Sequence, residues 1–193
     1  MRPTVRFLDD ALIDRILAEA RDVLATLGVE IHNPGVLVLL AEHGARVERE
    51  KCRAYLTGDL VDQALKTSPR SFQLFDIFGR QTHDLAGHNV YFTPGSAAIN
   101  VLDPSTLAMR SATTADYVRY AKLVEQLPHL ASQSTALVPS DVPPNIQDSL
   151  RLYLSLMHGR KPVVTGTFTV DAFNVMKDLL KIRELYNEAW EKN

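Results

Sequence analysis

Three short segments carry side chains that could line a binding pocket. They are Thr93-Pro-Gly-Ser96 with Asn100 just downstream, Val138-Pro-Ser-Asp141, and Thr165-Gly-Thr-Phe168. Each follows an apolar stretch of strand character. In parallel α/β sheets, the side chains just past the carboxyl end of a strand are the ones that reach a ligand. Tyr91 and Phe92 lead into the first segment. The chemistry such a set supports is binding and positioning more than proton transfer. The hydroxyls of Thr165 and Thr167 have no base close in sequence. There is no GxSxG nucleophile elbow, no GxGxxG and no GxxxxGK[ST] phosphate loop. Each segment, taken singly, also fits an ordinary strand-ending turn.

Other reactive side chains offer less. The six histidines stand at 32, 43, 83, 88, 129 and 158, and no pair has a helical metal-ligand spacing. His83 and His88 flank Gly87 near a turn, and no metal is expected there. Cys52 lies in Arg49-Glu-Lys-Cys-Arg53, where cationic neighbours can lower a thiol pKa and make a nucleophile. The same residue also fits a bystander in a turn or short strand. With one cysteine the chain forms no internal disulfide.

Composition narrows the class. The 193 residues are 46% hydrophobic and 23% charged, with a net charge of −2, which is ordinary for a globular α/β protein. Lys and Arg are dispersed, so no nucleic-acid face is expected. The longest apolar runs, such as Val36 to Ala41, fall far short of a membrane span. Met1-Arg-Pro-Thr-Val-Arg6 leads to Asp9 and Asp10 and not to an apolar core, so no signal peptide is expected and a cytoplasmic setting is the default.

The elements that must position the polar segments follow from periodicity. Leu12, Ile13, Ile16, Leu17, Ala20, Val23, Leu24 and Leu27 make one helical stripe over residues 9–27, begun by Asp9 or Asp10 and ended by Gly28. A second helix is predicted over about 34–43, stopped by Gly44. Val47 and Arg53–Leu56 read as short strands. Thr57 caps a helix running to about Thr67, where Ser68-Pro69 forbids continuation. A strand follows at Phe72–Phe75, then two more short strands punctuated by Gly79 and Gly87, and a further strand at Val90–Thr93. Ile99–Asp103 and Met109–Ser111 form a hairpin. Then come a helix (Thr114–Leu127), a strand (Leu130–Val138), a helix (Asn145–Met157), a strand (Lys161–Thr167) and a long helix (Val170–Trp190). Strand and helix alternating with a repeat of roughly 32 residues is the pattern of βαβ units and a parallel sheet.

Residues 1–88 therefore read as a small N-terminal α+β unit, and 89–193 as the first βα units of a TIM-type (β/α)8 barrel. A closed barrel needs eight strands and roughly 250 residues, and only three parallel strands are in view. The expectation is an incomplete barrel whose open edge invites pairing with another chain, including a homo-oligomer. A non-catalytic binding or assembly subunit that completes its barrel with a second polypeptide is the alternative to an enzyme fragment.

An ordered set of short stretches carries a family resemblance. These are Leu27-Gly-Val-Glu-Ile31, Leu40-Ala-Glu-His-Gly-Ala-Arg-Val47 and Leu60-Val-Asp-Gln-Ala-Leu65 with Ser68-Pro69. They continue with Val90-Tyr-Phe-Thr-Pro-Gly95, Asn100-Val-Leu-Asp103, Ser111-Ala-Thr113, Val138-Pro-Ser-Asp-Val-Pro143 and Lys161-Pro-Val-Val164. Over about residues 7–185 the chain resembles the N-terminal portion of the trimethylamine:corrinoid methyltransferase family. The resemblance implies a (β/α)8 barrel that moves a methyl group from a methylated amine to the cobalt of a corrinoid carried by a partner protein. Members with pyrrolysine use trimethylamine, and others use quaternary amines such as glycine betaine. The pyrrolysine position lies beyond residue 193.

That chemistry asks for particular side chains. A quaternary ammonium has no N–H to donate, so aromatic faces and a diffuse negative field hold it. Methyl transfer needs an in-line approach, so positioning dominates. The substrate-binding candidates are Tyr91, Phe92, Thr93, Ser96, Asn100, Ser140, Asp141, Thr165, Thr167 and Phe168. Tyr91, Phe92 and Phe168 are the aromatic ones, and alternation turns at least one of Tyr91 and Phe92 away from the interior. Asp141 and Asp103 are the carboxylates, with Asp141 equally suited to cap the helix that follows. No catalytic residue is assigned, and the corrinoid is expected to be held by the partner.

Overall fold

The computed structural model describes residues 6–191, with side chains described through residue 182. The signal-peptide reading of the first residues and the side chain of Trp190 lie outside that description. The chain divides into two compact units, Met1–Pro69 and Arg70–Asn193.

In the first unit, helix α1 (Asp10–Thr26) starts where the Asp9 carboxylate accepts the Leu12 N–H at 2.7 Å. The cap removes one of the orphan amides that every helix start carries. The chain then turns through Gly28 at φ +71° into β1 (Val29–Glu30). Helix α2 (Pro34–Glu42) follows, capped by Asn33 with proline in its first turn. Strand β2 (Arg46–Glu48), a 3-10 turn (Arg49–Lys51) and β3 (Arg53–Tyr55) precede α3 (Gly58–Thr67), which Thr57 caps. The sheet is antiparallel with β3 in the middle, in the order β1-β3-β2. Two features went unread in the sequence: β1, only two residues long, and the 3-10 turn, which Cys52 leaves at φ +49°. The α1 stripe forms as expected but stays largely uncovered, with Ile16 48%, Leu17 56% and Leu27 61% exposed.

The second unit opens with an antiparallel pair, β4 (Phe72–Phe75) and β5 (Gln81–Leu85), joined across Gly79. After a parallel segment, β6 (Asn100–Leu102) and β7 (Met109–Ser111) form the expected hairpin. Then α4 (Thr114–Gln126), β8 (Gln133–Ser134), α5 (Pro144–His158), β9 (Val163–Val164) and α6 (Val170–Glu191) alternate. β8 and β9 pair in parallel. On the other side of β8, parallel bridges join Phe92 to Leu130 and Ala98 to Leu137. Three extended segments thus run side by side in one direction, and residues 132–136 of the middle one are buried.

The expected long strands shrink to short ladders. Between the two bridges, six residues advance on one segment and seven on the other, so the register slips by one. Ala97, at φ +59°, sits at this slip. The left-handed Ala97 interrupts the ladder on the shorter segment, and the extra residue lies opposite it, within residues 130–137, as in a bulge. The expected strand Val90–Thr93 is therefore a single bridge at Phe92. Two strands were expected around Gly79 and Gly87; β5 is the one observed between them. The fold is a mixture of six α-helices and small sheets, and no closed barrel is present among the described residues. No helix is long and apolar enough to cross a membrane among those residues.

The core of this unit forms where α4 and α5 lie on the middle segment. Tyr117, Ala121 and Leu154 are buried together, with Val118, Leu137 and Leu150 packed against them.

Candidate functional site

The two ends of the parallel set differ in character. At the amino end, the Lys161 ammonium donates to the carbonyls of Val124, Leu127 and Leu130 at 2.6, 2.7 and 2.8 Å. It thereby satisfies the last carbonyls of α4 and favours the negative end of that helix. Burial raises the pKa of the neighbouring Glu125 carboxyl, but the Arg160 backbone N–H at 3.0 Å and guanidinium at 2.7 Å donate to it and bring it down overall. These residues line a cavity of 370 Å³ with Asp76, Arg80 and Thr82. Lys161 is held by a helix end and Arg160 by a carboxylate, which fits a structural role for both.

At the carboxyl end, hydroxyls tie the three segments together. The Ser134 hydroxyl donates to the Gly95 carbonyl at 2.7 Å, linking the first and second segments. The Thr135 and Thr165 hydroxyls meet at 3.1 Å, linking the second and third. Behind them, the Tyr117 hydroxyl meets Ser155 Oγ at 2.8 Å and the Tyr120 hydroxyl meets Ser134 Oγ at 3.2 Å. Burial pushes Tyr117 up to about 12 and raises Tyr120, so both remain neutral donors over the physiological range. The middle segment is therefore polar yet buried, with Gln133, Ser134 and Thr135 under 2% exposed.

The candidate residues separate into two groups. Ser140, Asp141, Thr165, Thr167 and Phe168 stand at the carboxyl end. Tyr91 and Phe92 lie at the other end of the set, because Phe92 bridges Leu130, where the middle segment begins. The Tyr91 hydroxyl accepts the Asp84 N–H at 2.9 Å and its ring lies 4.7 Å from that of His83. It thus anchors the β4–β5 pair. His83 is buried, which lowers its pKa. Phe92 is 67% exposed. Six residues of chain lead from Phe92 to Ala98, a path of at most about 20 Å if fully extended. Thr93 and Ser96 lie along that path and are exposed, and Asn100 pairs with Ser111 in the hairpin.

Both carboxylates serve the start of α4. Asp141 Oδ1 accepts the N–H and hydroxyl of Thr114 at 2.8 and 3.0 Å. It holds α4, and the helix that follows it, α5, has Pro143 at its N-cap and no side-chain cap. Asp103 accepts from Arg110 Nε at 2.9 Å, and Arg110 reaches Asp116 with two bonds at 2.6 and 2.9 Å. Asp116 completes a capping box with Thr113. The Arg110 guanidinium holds the Asp116 carboxyl well below the usual range. This clamp fixes the β6–β7 hairpin to α4, and Ser140 adds a second tie through its N–H and hydroxyl to the Ala112 carbonyl at 2.8 and 2.9 Å.

Sequence reasoning missed the buried residues that shape this end. Gln133, Ser134 and Thr135 carried a readable signal, a polar run inside an otherwise apolar strand. Tyr117, Tyr120, Asp148 and Arg151 carried none, since each looks like an ordinary helix residue.

Among the described residues, no cluster of three or more His, Cys, Asp or Glu could hold a metal. Neither histidine of α5 and its neighbourhood reaches the carboxyl end: His129 precedes the middle segment and His158 closes α5. In the first unit, a 170 Å³ cavity lined by His32, Leu37, Arg49 and Cys52 keeps the thiol half-buried.

Comparison with known proteins gives a consistent answer. A family model described as trimethylamine methyltransferase (MTTB) matches residues 1–183. The chain is 28% identical to a glycine betaine methyltransferase of Desulfitobacterium hafniense over 82% of its own length and 33% of the relative's. It is 30% identical to an L-carnitine:corrinoid methyltransferase of Eubacterium limosum over 73% of its length and 29% of the relative's. A trimethylamine methyltransferase of D. hafniense is 22% identical over 65% of the chain and 25% of the relative. The chain thus spans about a third or less of the relatives it matches.

Proposed function

The chain belongs to the trimethylamine methyltransferase family, and from that premise we propose that it supplies the first βα units of a corrinoid-dependent methyltransferase barrel acting on a methylated amine. The family match over residues 1–183 carries the reading. Three parallel segments, each of the last two preceded by a helix, support the barrel part of it.

The amine would lie over the carboxyl end of the set. Ser140, Thr165 and Thr167 offer hydroxyl oxygens, and Phe168 offers a ring that is 62% exposed. Hydroxyl dipoles and an aromatic face hold a quaternary or tertiary ammonium without requiring an N–H from it. Ser96 and Asn100 would extend this wall along the first segment. The residues bind and orient; none is placed to move a proton, which suits the transfer of a methyl group from nitrogen. The corrinoid, carried by a partner protein, would supply a reduced cobalt as methyl acceptor. The wall is one side of a site that further βα units would close.

The uncovered edge beyond β9, with Val164 48% and Phe173 58% exposed, favours a second reading. In it the chain assembles with a separate polypeptide carrying those units.

A chimera tests the first reading. The 193-residue chain is joined to the remaining length of the glycine betaine relative. It is then supplied with reduced corrinoid protein and each methylated amine, and the demethylated amine is measured. Demethylation by the chimera and none by the chain alone is expected. A folded chimera that demethylates no amine would sink the reading. Robust turnover by the chain alone would contradict the one-wall account.

A further inference from the structure

Two buried charges on α5 converge on Phe168. Asp148 and Arg151 are 4% and 2% exposed, one turn apart, with Arg151 Nη2 3.7 Å from Asp148 Oδ1. Asp148 Oδ2 accepts the Phe168 N–H at 2.5 Å. The Arg151 guanidinium carbon lies 4.9 Å from the centroid of the Phe168 ring. One side chain therefore holds the backbone of Phe168 and the other holds its ring.

The pair is poorly explained as a stabilising ion pair. Its separation exceeds a hydrogen bond, and Asp148 Oδ1, Arg151 Nε and Arg151 Nη1 have no hydrogen-bond partner among the described residues. Burial pushes the Arg151 pKa down, with Asp148 opposing that shift. A buried pair of this kind is commonly no more stabilising than two apolar side chains of the same volume. Its geometry is better explained by what both members touch.

We infer that Asp148 and Arg151 are positioning residues for Phe168, fixing the strand-end turn and the plane of its ring. The inference rests on the amine reading only for its purpose, since the exposed ring is then the face offered to the ammonium. With a guanidinium against one face, the ring can take a second cation only on the opposite face. The direction of substrate approach is thereby set.

Removal of one charge leaves the other buried alone, so both are replaced together. Asp148→Asn with Arg151→Met keeps an oxygen acceptor for the Phe168 amide but removes the guanidinium. Asp148→Ala with Arg151→Met removes both. Hydrogen exchange at the Phe168 amide reads the first grip, and the ring carbon and proton shifts of Phe168 read the second. The Asn/Met variant is expected to keep amide protection within about 3-fold and lose the ring shift. The Ala/Met variant is expected to lose at least about 10-fold protection at Phe168, with Leu152 and Leu154 unchanged. Wild-type protection and a wild-type ring shift in both variants would overturn the inference. So would equal loss at Phe168, Leu152 and Leu154, which signals general loosening. Titration with tetramethylammonium separates the two claims. A wild-type ring that does not respond overturns the amine reading and leaves the exchange result standing. A response with equal affinity in wild type and the Asn/Met variant overturns the positioning role.

Discussion

Tyr117→Phe removes one oxygen from the centre of the second unit and leaves the ring in place. Tyr117 is fully buried, its hydroxyl 2.8 Å from Ser155 Oγ and 3.4 Å from the Ser134 carbonyl. The substitution forfeits a hydrogen bond and leaves the Ser155 hydroxyl to find another acceptor in its helix. Near pH 8 the expected cost is about 1–2 kcal/mol. The alkaline range then gives a second, independent signature. Burial pushes Tyr117 up to about 12 from the ordinary 10. A raised pKa means that the folded state holds this proton when the unfolded state has released it. The stability it provides is complete below pH 10 and lost as pH rises towards 12. At pH 11 the wild type should have given up roughly 1–2 kcal/mol through this group, and the Phe variant nothing. Lysines and Tyr120 titrate in both proteins, so the difference isolates Tyr117. Urea unfolding followed by far-UV circular dichroism, at about pH 8 and about pH 11, should show the gap between the two proteins closing. A gap that stays constant or widens with pH would refute the placement of Tyr117 as a buried, neutral donor.

Other expectations follow from single positions. A Cβ at Gly28, where φ is +71°, would lie 2.5 Å from the Ala54 carbonyl oxygen, so Gly28→Ala should cost more than about 2 kcal/mol in thermal melts. At Gly44, also at positive φ but with open space around the Cβ, the cost should be only about 1 kcal/mol. Asp116 is held ionised by Arg110, so it contributes stability above its unfolded pKa that is lost as pH falls below about 4. Asp116→Asn should flatten the acid limb of the stability profile, and an unchanged limb would rule out the Arg110 clamp.

Local signals in the sequence specified most of the elements. Asp9, Thr57 and the Gly28 and Gly44 stops bound helices where capping chemistry places them, and the β6–β7 hairpin appears around Pro104-Ser105-Thr106. Alternation could not show how short the parallel ladders would be, because the slip at Ala97 depends on which segment lies alongside. The candidate site was legible in part. Ser140, Thr165, Thr167 and Phe168 stand at one end as strand-end residues should, whereas Tyr91 and Phe92 lie at the other. The run from Tyr91 to Ser96 reads as one strand end, but the segment continues past it to Ala98. Asp148 and Arg151 look like an exposed i,i+3 pair on an amphipathic helix. Only the packing of α5 beside Phe168 reveals them as buried.

The central claim, that the carboxyl end of the parallel set forms one wall of an ammonium site, is tested most directly by residue-resolved NMR titration of the chain. Glycine betaine is compared with 3,3-dimethylbutanol, a neutral analogue of similar shape. The account predicts weak, saturable shifts, with a Kd on the order of millimolar, at Ser140, Thr165, Thr167 and Phe168 for glycine betaine alone. No saturable shifts, equal shifts with the neutral analogue, or shifts confined to Tyr91 and Phe92 would contradict it.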